Sequence, residues 1–277
     1  MAIFLGLVAS CITTYYGPGA AGSGIAELIG YLNGVNYPKF IGISTLLTKV
    51  IGVCLSVSAR LCIGKEGPLA HIGALLGASI LYIPGINFDF LKNNETKRRF
   101  IAAGASAGVS VAYGAPIGGT LFVFELSRPT TFWKFTMLWR TFLSCSIAVF
   151  VMSILLGIKH GEIEDFSPII LKFGEIQDGD EDINAFYLLM TGISLGVIGG
   201  VLGPIFVSVN TSVNKLRKRY LVQKWMKPIE VAVFCFITAS FFYFIPFFMR
   251  HCVEANESHD VDFKESFRTW CPTDGLG

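Results

Sequence analysis

The residue most able to do chemistry is Glu66, inside Gly64-Lys65-Glu66-Gly67-Pro68. A carboxylate between two glycines, just before a proline and in an apolar stretch, is costly unless it is paired or functional. Burial disfavours its ionised form, whereas amides at a helix start favour it. Such a group is a candidate to exchange its proton in the working pH range, and once ionised it resembles any anion those amides would attract. The plainer alternative is a glutamate that caps its own helix or pairs with Lys65.

Two similar breaks flank this one in sequence. They are Gly22-Ser23-Gly24-Ile25-Ala26-Glu27 and Gly114-Ala115-Pro116-Ile117-Gly118-Gly119. The first amides of a helix lack intrahelical acceptors and carry a partial positive charge. Glycine lets an anion approach the backbone, and proline suits a first helical turn. Two or three such ends meeting at mid-membrane would cradle an anion without a buried cation. Moderate affinity of that kind is what conduction requires. Taken singly, each break also reads as a helix kink. A nucleotide loop is excluded, because Gly64-Lys65 is followed by Glu66 and Ala59 stands where the first glycine is needed.

The elements that must position these residues belong in a membrane. The 277 residues are 52% hydrophobic and 15% charged, with a mean hydropathy of +0.58, against about a quarter charged in soluble domains. The expectation is an all-α polytopic membrane protein. Segments 40–63, 133–157, 184–214 and 228–249 reach the length of about 20 apolar residues that a span needs. Ile25–Leu32, 68–83, 100–112 and 117–124 are short and interrupted by Gly or Pro. Irregular backbone at membrane depth is tolerated only where it is buried or lines a cavity, so this mixture predicts a transporter-like architecture. Residues 1–16 do not read as a signal peptide, since no basic residue precedes the apolar run. Pairs Gly73/Gly77 and Gly104/Gly108, and the triplet Gly192/Gly196/Gly200, are read as close-packing faces without chemistry.

Loop charge predicts orientation. Segment 92–99 holds four basic residues against Glu95, and 215–227 holds six with no acid, whereas 159–183 holds eight acids against two lysines. The basic segments are read as cytoplasmic, and the acidic loop and 250–277 as lying on the opposite side. Asn256-Glu257-Ser258 is a glycosylation sequon on that side. Cys252 and Cys271 flank a polar segment there and form a candidate disulfide. The other cysteines sit in apolar stretches, no spacing suits a metal, and no cofactor or nucleic-acid partner is implied.

The three breaks, in this order, resemble the motifs GSGIPE, GKEGP and GAPxGGxLFxxE of the CLC chloride channels and chloride/proton exchangers. The third runs from Gly114 through Leu121-Phe122 to Glu125. The resemblance extends from about residue 20 to the end. Tyr31-Leu32-Asn33-Gly34, Leu138 to Phe142 and Cys271-Pro272 look like the intracellular branch of lysosomes and plant vacuoles. It implies an inverted-repeat fold of tilted, broken helices. Residues 1–157 would form the first half of the transport domain, 158–183 an acidic loop, 184–249 the opening helices of the second half, and 250–277 a polar segment. It also implies a homodimer joined through helices near 117–128 and 133–157, an endomembrane location with the plasma membrane as alternative, and no enzymatic activity.

By position, the resemblance makes Ser23 a hydroxyl donor to chloride, with Gly24 and Ile25 at the same helix start. Gly64, Lys65 and Gly67 would surround Glu66, the gate, which swings away from the anion path when protonated. Ser23, where nitrate-preferring plant members carry proline, implies chloride over nitrate. Pro68, Gly114, Pro116, Gly119 and Glu125 are expected to be structural.

There are departures from the pattern. Ala26 stands for the usual proline. Leu126 stands where exchangers carry a second glutamate that relays protons, and a leucine carries none. The second-half GxFxP motif, the pore tyrosine and the nucleotide-binding CBS domains are not in these 277 residues, so the chain reads as a fragment, a partial gene model or a degenerate copy. The first expectation is passive chloride transport gated at Glu66. The alternatives are a chloride/proton antiporter with another proton route, and a non-transporting subunit.

Overall fold

The computed structural model describes residues 1–37, 39–82, 93–127, 135–160, 185–221 and 223–249. All regular structure among them is helical. In chain order the helices are α1 (Ala2–Tyr15), α2 (Ile25–Leu32), α3 (Ile43–Ser58), α4 (Glu66–Ile80), α5 (Asn94–Tyr113), α6 (Pro116–Ser127), α7 (Phe135–His160), α8 (Ala185–Tyr220) and α9 (Met226–Met249). The acidic loop and the Cys252/Cys271 pair lie outside the described residues.

Among the described residues, three helices are long and apolar enough to cross a membrane, over Thr136–Ile158, Leu189–Tyr220 and Met226–Ile245. The expected full span at 40–63 is corrected: α3 has 16 residues, about 24 Å at 1.5 Å per residue against a hydrocarbon core of about 30 Å. Gly42 stands at its start, and soon after its end Arg60 turns the chain with a φ of 54°. α5 is longer than read, because its basic first turns are helical too and Glu95 pairs there with Arg99 one turn on.

The centre of the fold is the antiparallel crossing of α4 and α5. A Cβ on Gly73 would strike the Gly104 carbonyl, one on Gly77 the Phe100 carbonyl, and one on Gly108 the Leu69 carbonyl. The paired small residues thus bring the two backbones into direct contact. In lipid this packing, rather than transfer from water, holds helices together. Leu28 and Leu32 of α2, Phe40, Ala74 and Ala78 of α4, Ile101 and Ala105 of α5 and Val123 of α6 close one apolar core around the crossing.

Polar side chains inside these helices bond back to the preceding turn: Ser79 to the Leu75 carbonyl, Ser110 to Ser106, Thr120 to Pro116, Thr141 to Met137. That is how hydroxyls are satisfied where water is excluded. α5 ends at Gly114, whose φ of 65° is left-handed, and the Ala115 amide donates to the Ser110 carbonyl at 3.1 Å. Pro116 then opens α6, which folds back so closely that Gly119 lies on Ser106 and Ser110. The third break thus packs α6 against α5.

Candidate anion site

Two of the three breaks come together. α2 begins after Gly24, whose φ of 83° is one that residues with a Cβ rarely adopt. The first helical bond runs from the Leu28 amide to the Gly24 carbonyl at 2.9 Å, so the amides of Ile25, Ala26 and Glu27 have no acceptor within the helix. The Ser23 hydroxyl lies 3.4 Å from the Ile25 amide as its acceptor. Ser23 itself is exposed.

α4 begins at Glu66, and its first helical bond runs from the Leu69 amide to the Lys65 carbonyl at 3.0 Å. Pro68 has no amide hydrogen to leave unsatisfied, so this start presents the Glu66 and Gly67 amides alone. A Cβ on Gly67 would fall 2.8 Å from the Ser23 Cβ and 3.3 Å from Ile25 Cδ1. The start of α2 thus sits directly on the first turn of α4. Gly67 is glycine because Ser23 occupies its side-chain space.

The Glu66 side chain is half-buried and curls back over Gly64, where a Cβ would meet its Oε2. An acid in the first helical turn is favoured by the helix dipole. Glu66, Ser23, Gly24, Ile25, Gly64 and Gly67 are therefore neighbours, with Lys65 exposed at the rim. Gly114 to Gly119 serve the α5–α6 contact instead.

Leu126 lies at the opposite end of α2. The side-chain amide of Asn33, the residue that closes α2, donates to the Ile29 carbonyl at 2.8 Å and to the Leu126 carbonyl at 3.4 Å. The eight residues of α2 put about 12 Å between its ends. The Arg98 guanidinium approaches Gly34 at this same end, so Leu126 shares a side of the molecule with the basic start of α5. Glu125 is exposed.

Two residues that sequence reasoning passed over complete the site. Lys49 of α3, 2% exposed, donates from Nζ to the Ala20 carbonyl at 3.0 Å and the Gly22 carbonyl at 2.5 Å. It fastens the loop before Ser23 from behind, and its ammonium adds positive charge beneath the start of α2. A lone lysine in an otherwise uncharged apolar helix was the available signal. His71, 0% exposed, stands one turn after Gly67 and abuts Gly24. Among the described residues, no cluster of His, Cys, Asp or Glu could hold a metal ion.

Residues 5–259 match the family described as voltage gated chloride channel, and the chain belongs to it. Its all-helical architecture is that family's membrane fold. It is 36% identical over 254 residues to the H(+)/Cl(-) exchange transporter 7 of Homo sapiens, covering 89% of this chain and 31% of the relative. It is 33% identical over 278 residues to Chloride channel protein A of Dictyostelium discoideum, covering 95% and 31%. Chloride channel protein CLC-d of Arabidopsis thaliana is 34% identical over 257 residues, with 89% and 32% covered. The chain spans about a third of the length of these relatives. The first is named as an exchange transporter and the other two as chloride channel proteins.

Proposed function

We propose that this chain contributes the gate and half of the anion site of a chloride pathway, and that the pathway conducts chloride passively. The observation that carries this is the meeting of the α2 and α4 starts, which sets Ser23 against Gly67 beside Glu66. Amides and a hydroxyl attract an anion there without holding it as tightly as a bare cation would. When ionised, the Glu66 carboxylate competes for the same donors. When protonated it no longer does, and the path opens.

Passive transport rests on Leu126. On this reading it stands where exchangers carry the glutamate that relays protons, and it lies beside Asn33 at the α2 end remote from Glu66. Leucine relays none. The basic face is cytoplasmic on this reading, chloride, protons at Glu66 and the bilayer are the partners, and a homodimer in an endomembrane is the working assembly. The residue boundaries 1–157, 158–183, 184–249 and 250–277 remain the domain division we favour. A second reading, chloride/proton exchange by another proton route, is favoured by the name of the human relative.

The test is chloride efflux with simultaneous pH recording from liposomes holding the full-length protein. Chloride leaving without matched proton movement supports passive transport. Proton uptake in fixed ratio to chloride establishes exchange and removes the argument from Leu126.

A further inference from the structure

His71 is more than core filling. Its ring is stacked on Phe40, with centroids 4.4 Å apart and planes 9° from parallel. Phe40 is in turn fixed by Tyr31 of α2, 6.1 Å away, and is 3% exposed. Nε2 of His71 lies 3.4 Å from the Phe40 carbonyl oxygen. With the proton on Nε2, that contact is a hydrogen bond and Nδ1 carries only a lone pair. Nδ1 is buried without a partner, and it is the atom that a Cβ on Gly24 would strike first. The ring is thus held flat by Phe40 on one side and butted against the left-handed Gly24 at its edge. Gly67 and His71 are four residues apart on α4, so they form one face. That face carries Ser23 at its first step and Gly24 at its second.

We propose that His71 is a positioning residue that sets anion selectivity. Its planar ring fixes how far the Gly24 bend stands off α4, and so where the Ser23 hydroxyl and the free α2 amides sit relative to Glu66. A packed interior does not deform continuously, so removing the ring shifts the α2 start rather than leaving the site unchanged. This rests on the proposed anion site and deepens it: His71 is fully buried and acts on the donors through Gly24.

The experiment compares chloride and nitrate efflux from liposomes holding the full-length wild type, His71→Ala, His71→Phe and His71→Gln, with Glu66→Ala alongside. His71→Ala should change the chloride-to-nitrate ratio by about 3- to 10-fold, with an altered half-saturating chloride concentration, because a misplaced donor set is worth on the order of one hydrogen bond. His71→Phe keeps the ring and should stay within about 2-fold of the wild-type ratio, whereas His71→Gln keeps a donor without the ring and should follow His71→Ala, as expected when packed shape sets the donor positions. If His71→Ala does not fold, the Phe and Gln variants decide the matter by the same ratio. Wild-type selectivity in both His71→Ala and His71→Gln, while Glu66→Ala still alters gating, would overturn the role of His71 and leave the anion site standing. Flux indifferent to Glu66→Ala would instead overturn the site, and His71 with it.

Discussion

The α4–α5 crossing and α8 use the same sequence device with opposite results. Both carry glycines at four-residue spacing. At the crossing, added Cβ atoms on Gly73, Gly77, Gly104 and Gly108 would all meet backbone. On α8, Gly192, Gly196 and Gly200 have nothing within reach, and the helix is exposed from residue 189 to 220. A small-residue stripe is permission for close approach, and only a facing partner makes it a contact. The crossing is also what holds the α4 start in place, so packing there bears on the proposed gate, Glu66, in a way that packing on α8 does not.

This contrast can be broken in order of severity. Gly73→Leu or Gly104→Leu drives a side chain into a carbonyl, and should cost more than about 3 kcal/mol, in the range where folding is lost. The loss would be read as missing monodisperse protein after detergent extraction. Gly196→Leu in the same preparation should extract like wild type; equal loss from both would mean that α8 has an unrecognised partner. Lys49→Met should come next. It removes the donor from two carbonyls and the charge beneath the loop, at about 1–3 kcal/mol for each group left unpaired. The readouts are a lower melting temperature and weaker chloride dependence of flux. Arg217→Gln should do least. Arg217 joins α8 to Glu230 of α9 with bonds of 2.5 and 2.7 Å, but its side chain is half exposed, and such pairs contribute about 0.2–1 kcal/mol. A melting shift beyond a few degrees would show that this link matters more than its exposure implies.

Much of this was legible in the sequence, for identifiable reasons. The bounds of α2 match the apolar run 25–32, because Gly24 and Asn33 punctuate it at both ends. The Gly73/Gly77 and Gly104/Gly108 stripes are visible in the spacing, although spacing does not say which stripe finds a partner. Glu66 stood out because an acid in an apolar stretch has so few uses. What spacing cannot tell is which breaks meet. The three motifs look alike, yet Gly119 packs on Ser110 while Gly67 packs on Ser23. Likewise α3 reads as a full span by composition, but its helix stops before Arg60. Lys49 and His71 were missed because each is an isolated ionisable residue in an apolar run, and their roles come from loops 27 to 47 positions away that no periodicity connects.

The most direct test of the α2–α4 site is the pH dependence of chloride efflux from the full-length protein, compared with that of Glu66→Ala. Wild type should conduct more as pH falls and the carboxylate leaves the donors, whereas Glu66→Ala should retain flux with no pH dependence. The same pH dependence in both proteins would contradict the assignment of Glu66 as the gate.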